Sequence, residues 1–227
     1  MLSINDICGV IFDMDGVIFD SEICVIECWK EVAKEYNISG IEAACRRCLG
    51  TNATLTKQIF CEIYGKDFDY DYYKDKMRNL FFTRYGDGRL PLKKGIKEIL
   101  IWLKNNGYKI ALATSTRKLS ASKELADAGL LEYFDETIYG DMVSKSKPDP
   151  EIFLKACSAL GLEPSRVAII EDSFNGIRAA NNSGAVSIMV PDLVMPDDEI
   201  KKLTDFIFED LDKVREFLEV NVKVADS

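Results

Sequence analysis

Residues 7–17 read Ile-Cys-Gly-Val-Ile-Phe-Asp-Met-Asp-Gly-Val. The apolar run Ile7–Phe12 is too short for a helix and reads as a strand buried on both faces. It stops abruptly at two carboxylates, Asp13 and Asp15, and Gly16 lets the chain turn away. Taken alone, this is either a polar turn after a strand or a pair of acids set at a strand end for chemistry.

Four more runs share the pattern of that strand: Lys109–Ala113, Arg166–Ile170, Ala185–Val190 and Asp205–Phe208, with Thr137–Tyr139 a weaker sixth. Helical patterns lie between them. Ile96, Ile99, Leu100 and Leu103 follow the i, i+3, i+4, i+7 rule, with Gly107 as a stop. Leu119–Ala128 ends at Gly129. Asp149-Pro150 looks like an N-cap followed by a first-turn Pro, opening a helix with Ile152, Phe153, Ala156, Cys157 and Leu160 on one face. Asn175–Asn182 stops at Gly184, and a final helix follows Glu209, with a frayed tail expected beyond it. Strand–helix alternation with continuously apolar strands predicts a Rossmann-like parallel α/β sheet.

One stretch breaks the alternation. From about Ser21 to Tyr85 there are helical stripes and no strand: Val25, Ile26, Trp29, Val32, Ala33 and Tyr36; then Leu55, Ile59, Ile63 and Tyr64; then Asp69–Tyr85. This predicts an α-helical domain over residues 18–87 inserted into a core made of residues 1–17 and 88–227.

Composition narrows the function. The chain has 227 residues and a formal net charge of −9, which disfavours a phosphate-backbone partner, so no nucleic acid is expected. No apolar run approaches the ~18 residues of a membrane span. Met1–Asn5 carries no basic region, so no secretory signal is expected, and the location read from this is cytoplasmic. The chain is read as a monomer. There is no histidine, which removes Ser-His-Asp and Cys-His catalysis and every imidazole ligand. The cysteines number seven. Cys24, Cys28, Cys45 and Cys48 are read as reduced thiols on helix faces and not as a zinc site.

Ligands of an open parallel sheet bind beyond the carboxyl ends of its strands, and the reactive side chains fall there. After strand 1 come Asp13 and Asp15. After strand 2 come Thr114-Ser115-Thr116, whose hydroxyls and N–H groups could cradle an anion or simply cap a helix. After the weak strand comes Lys147, between Ser146 and Pro148. After the fourth comes Glu171-Asp172-Ser173. Adjacent carboxylates repel unless a cation compensates. With Asp13 and Asp15 on the same rim, a hard divalent cation such as Mg²⁺ is the reading. A carboxylate nucleophile, a second acid, an anion cradle, a fixed Lys and a metal-binding acid pair together suit phosphoryl transfer.

The ordered set D-M-D-G-V, T-S-T, K-P and E-D-S resembles the haloacid dehalogenase superfamily, and the insert after the first motif resembles its helical-cap subgroup. The resemblance covers Ile7 to about Phe208. It implies that Asp13 is the nucleophile, Asp15 the general acid and base, and Lys147 the neutralising cation. It implies that Thr114 and Ser115 hold the phosphoryl group. Asp13, the Asp15 carbonyl and Asp172, with Glu171 directly or through water, would hold Mg²⁺. Asn52 and Arg117, with Trp29 and Thr54, are expected to touch a small phosphorylated metabolite. Dehalogenases lack the second acid, so Asp15 disfavours that activity. A mutase resembling β-phosphoglucomutase carries a His and a basic residue at the places held here by Val25 and Ala53, so a phosphatase is favoured over a mutase. A non-enzymatic binding protein on this fold would be signalled by loss of a motif acid, and none is lost.

Overall fold

The structure is a computed structural model, which describes residues 6–51 and 53–221. Six parallel strands form one sheet: β1 (Gly9–Phe12), β2 (Lys109–Ala113), β3 (Glu136–Ile138), β4 (Val167–Glu171), β5 (Val186–Met189) and β6 (Phe206–Ile207), in the order β3-β2-β1-β4-β5-β6. The chain winds outward from β1 to one side and then returns to the other, so the sheet reverses direction between β1 and β4. Register fixes the functional rim. Phe12 is level with Leu112 on one side and Ile170 on the other. Asp13, Thr114 and Glu171-Asp172 therefore leave the sheet at nearly one height.

Alternating side chains serve two cores. Val10, Phe12, Ile110, Leu112 and Ile170 pack beneath α5 (Ile96–Asn105), α6 (Lys118–Asp127) and α10 (Leu211–Asn221). Ile11, Ala111, Val167 and Ile169 face α7 (Glu151–Leu160) and α8 (Phe174–Ser183). A fully buried Leu or Ile contributes ~1.5–3 kcal/mol, and the strands present such residues on both faces, as the unbroken apolar runs require.

The segment between β1 and α5 holds α1 (Ser21–Tyr36), α2 (Ile41–Arg47), α3 (Ala53–Tyr64) and α4 (Tyr70–Tyr85). Its core is separate and aromatic. Trp29 lies 4.9 Å from Phe60, and Phe60 lies 5.0 Å from Tyr70. Asn37 ends α1 in a left-handed conformation, and the Asp69 carboxylate caps α4 by accepting from the Tyr72 N–H.

Two helices were not anticipated: α2, with seven residues, and α9 (Asp198–Leu203), with six. Neither completes two full turns, too little for a periodic signal to emerge. The helix expected to begin at Pro150 begins one residue later. Pro150 is itself the cap, and Asp149 accepts from the Glu151 N–H. The frayed tail beyond Asn221 lies outside the described residues.

Candidate active site

Asp13 follows β1 directly. Its N–H donates to Ile170 O, which continues the β1–β4 ladder and fixes the side chain over the sheet end. The Lys147 Nζ lies 2.6 Å from Asp13 Oδ1 and 2.6 Å from Glu171 Oε1. It also donates to Ala113 O and sits 4.8 Å above the Phe153 ring. Its side chain is only 8% exposed, so no water shell competes. One ammonium thus serves two buried carboxylates. Both contacts hold Lys147 protonated, against the pull of burial. Burial pushes the Asp13 carboxyl up, and the charges of Glu171 and Asp15 add to this against the pull of Lys147.

Glu171 ends β4. Its Oε2 accepts from the N–H groups of Asp172 and Ser173 and from Ser173 Oγ, while Lys147 takes Oε1. The carboxylate lies so close to α8 that a Cβ on Gly176 would sit 1.8 Å from Glu171 Cδ. Only a glycine fits there.

The Asp172 carboxylate is buried and makes no hydrogen bond or ion pair among the described residues. Burial first, then Glu171 and Asp13, push its acid well above the ordinary range. Gly16, with φ +80°, clears a place for it, since a Cβ there would lie 2.4 Å from Asp172 Oδ2. Oxygens of Asp13, Glu171 and Asp172 lie within 4.8 Å of one another. A buried, unpaired carboxylate beside two more, with only oxygen donors present, fits Mg²⁺. Glu171, expected to reach the metal shell, has its lone pairs largely engaged by Lys147 and its own turn, so Asp13 and Asp172 are the better-placed ligands.

Asp15 is held from two elements. Ser21 Oγ, at the start of α1, donates to Oδ1 at 2.6 Å, and Thr116 Oγ1 donates to Oδ2 at 2.8 Å. The three residues of the T-S-T loop have separate tasks. Thr114 is buried, and its Oγ1 accepts from the Thr116 N–H, so it shapes the turn. Ser115 and Thr116 line the cavity. Gly140 packs on Ser115 so closely that a Cβ would lie 2.0 Å from the Ser115 carbonyl oxygen. In its bond with the Thr116 N–H, Thr114 Oγ1 only accepts, so its O–H stays free to donate, whereas the Thr116 O–H is engaged by Asp15.

The cavity is about 540 Å³, with the sheet rim as its floor and the inserted helices as its roof. Trp29, Phe60, Val25 and Ala53 contribute from the roof. Asn175 Nδ2 donates to Gly50 O at 2.8 Å, which ties the start of α8 to the loop below α3. Arg117 and Thr54 are exposed and do not line the cavity. Arg117 stands at the N-cap of α6, and the structure places both residues outside the cavity lining. Asn52 lies outside the described residues.

Two acids at the site were not anticipated. Glu22 lines the cavity, and burial with the charge of Asp192 pushes its carboxyl up to about 8. Asp192 follows β5, with a side chain 5% exposed and paired to Lys93 at 2.7 Å. The cysteines are all free thiols, and burial pushes Cys28 up to about 11 and Cys45 up to about 12. Among the described residues, no group of convergent ligands includes one.

A family model described as haloacid dehalogenase-like hydrolase matches residues 10–190. The phosphorylated carbohydrates phosphatase of Thermotoga maritima is 34% identical over 78% of this chain and 81% of its own. The β-phosphoglucomutase of Bacillus subtilis is 30% identical over 80% of this chain and 82% of its own. The crystal structure of β-phosphoglucomutase from Clostridium difficile superposes with a TM-score of 0.76 at 23% identity, covering 95% of this chain and 96% of that one. That last likeness concerns the fold alone.

Proposed function

The chain belongs to the haloacid dehalogenase-like hydrolase family, and on that footing we propose that it is a phosphatase of small phosphorylated carbohydrates. The observation that carries this reading is the Lys147 ammonium wedged between Asp13 and Glu171 at the mouth of the β1–β4 reversal. A carboxylate can attack a phosphate dianion only where positive charge is already in place.

In this mechanism an Asp13 carboxylate oxygen bonds to phosphorus, and the ester P–O bond breaks. Asp15 gives its proton to the departing alkoxide oxygen. Asp15 then takes a proton from water as the water oxygen attacks phosphorus, and the Asp13–phosphorus linkage breaks to release inorganic phosphate. Ser21 and Thr116 hold Asp15 in line for both transfers. Thr114, the Ser115 N–H and Lys147 would hold the phosphoryl oxygens. Asp13, Asp172 and the Asp15 carbonyl would hold Mg²⁺, which supplies charge neutralisation when bound. The inserted helices, residues 18–87, act as a cap that excludes water over the core of residues 1–17 and 88–227.

The relatives include both a phosphatase and a mutase, and the cavity favours the first. Val25 and Ala53 both line it, and neither can hold the second phosphate that a mutase must bind. Purified protein with Mg²⁺ is expected to hydrolyse p-nitrophenyl phosphate and members of a sugar-phosphate panel, with loss on EDTA treatment. With β-glucose 1-phosphate and a trace of the bisphosphate, free phosphate is expected to exceed glucose 6-phosphate. Glucose 6-phosphate formed much faster would make the protein a mutase.

A further inference from the structure

We propose that Glu22, Asp172 and Asp192 form a second divalent-cation site, beside the one formed at Asp13 and sharing Asp172 with it. Oxygens of these three carboxylates lie within 4.8 Å of one another. They arrive from different parts of the chain: the first turn of α1, the turn after β4 and the segment after β5. Three acids brought together in this way repel, and the fold keeps them there.

The group is more than an acidic surface, because the Asp192 side chain is 5% exposed and one of its oxygens is unused. Lys93 takes Asp192 Oδ1, while Oδ2 is buried and has no hydrogen-bond partner. Glu22 makes no hydrogen bond or ion pair among the described residues, and neither does the Asp172 carboxylate. A buried, unpaired anionic oxygen is costly unless a partner arrives.

The neighbouring cations are committed elsewhere. Lys147 serves Asp13 and Glu171. Lys93 divides between Asp192 and Asp20. Arg46 pairs with Glu42, and Arg178 with Glu199. Among the described residues, no ammonium or guanidinium pairs with Glu22 or Asp172. A cavity of about 280 Å³ that includes Glu22, Asp172, Ser173 and Asn175 in its lining opens onto the group, which gives an ion a path of entry.

The donors are carboxylate oxygens with room for water, the set that suits Mg²⁺, Mn²⁺ or Ca²⁺ and not a thiophilic ion. Asp172 has two oxygens, one for each ion. Glu22 lines the main cavity as well as the entry path, so an ion there would face the non-phosphoryl part of a bound substrate.

The test is a Mn²⁺ titration of the full-length, EDTA-stripped protein, with free and bound Mn²⁺ counted by electron paramagnetic resonance. The wild type is expected to take up about two ions per chain, with a spectrum broadened by coupling because Asp172 is shared. Asp192→Asn keeps an oxygen for Lys93, and Glu22→Gln alters a residue at a helix start. Each is expected to weaken the second ion at least ~10–100-fold, to leave about one per chain and to lose the broadening. Circular dichroism checks that both variants are folded. One ion per chain in the wild type overturns the proposal, as does an uptake of two that neither variant reduces.

Discussion

Asp15 Oδ2 accepts a hydrogen bond from Thr116 Oγ1 at 2.8 Å, a contact between the loop after β1 and the loop after β2. With Ser21 on the other oxygen, this fixes the group proposed for proton transfer, while the Asp13 carboxylate, two residues earlier, is tied among the described residues to Lys147 alone. The two aspartates are therefore separable by mutation. Asp13→Asn is expected to reduce turnover to background. Asp15→Asn is expected to cost ~10²–10⁴-fold with ordinary esters, and less phosphate transfer to Asp13 is lost when the leaving group is good. Mass spectrometry of acid-quenched Asp15→Asn should then find a phosphoryl group on the peptide containing Asp13, and none in Asp13→Asn. Substantial turnover by Asp13→Asn would rule out the covalent route.

Lys147→Met removes the one cation between two buried carboxylates. Breaking a buried pair in this way typically costs ~3–5 kcal/mol. The loss is expected to be larger at pH 8 than at pH 5, where Asp13, already pushed upward by burial, can meet the vacancy by taking a proton. Urea unfolding of both proteins at the two pH values measures this. An equal loss at both would mean that Lys147 contributes packing and not charge.

The metal-free protein is expected to lose stability as pH rises. Glu22 moves from 4.5 to about 8 on folding, and Asp172 and Asp13 move the same way. For each, the folded state keeps protons that the unfolded state gives up, so the stability these groups provide is present below the unfolded value and is lost through the folded one. For Glu22 that window is pH 4.5 to about 8. Mg²⁺ replaces the protons, so its stabilising effect is expected to be greater at pH 8 than at pH 5. Thermal unfolding with EDTA and with saturating Mg²⁺ tests both statements, and a Mg²⁺ effect independent of pH would contradict them.

Gly176→Ala should fail where helix propensity says it ought to help. Ala normally stabilises a helix interior by ~0.5–1 kcal/mol over Gly. Here the added Cβ meets the Glu171 carboxyl, and overpacking of this kind costs ~1–3 kcal/mol. Activity is expected to fall as well, because Glu171 positions Lys147. Adding Glu171→Asp, which shortens the acid, should recover part of the stability, and chemical denaturation of the single and double variants gives the coupling. Gly176→Ala with wild-type stability and activity would show that the turn has room to relax.

The sheet was legible because buried parallel strands are apolar on both faces and stop where the rim begins. Each of the six strands announced in sequence is present within about two residues. The rim acids were legible for the same reason, as polar residues abutting apolar runs, whereas Lys147 was legible by its place before Pro148 in the ordered motif set. What the sequence hid is set by geometry across the chain. In Thr114-Ser115-Thr116 two threonines look alike, and only the folded arrangement shows that the Thr116 hydroxyl donates to Asp15 while Thr114 Oγ1 accepts from the Thr116 N–H. Arg117 looked available because a basic residue beside an anion cradle invites that reading, yet it stands exposed at the N-cap of α6, outside the cavity lining. Glu22 and Asp192 meet only after the sheet has formed, so no local pattern joins them.

The chain has two tryptophans, and the fold gives them unrelated surroundings. Trp29 belongs to the aromatic roof of the cavity, 4.9 Å from Phe60. Trp102 sits on α5 against Tyr108, packed on the core between the sheet and α5. Indole emission therefore carries two addresses. Replacing Trp102 with Phe would leave Trp29 as the single indole, so emission excited selectively from indole would report on the cavity roof without any attached dye.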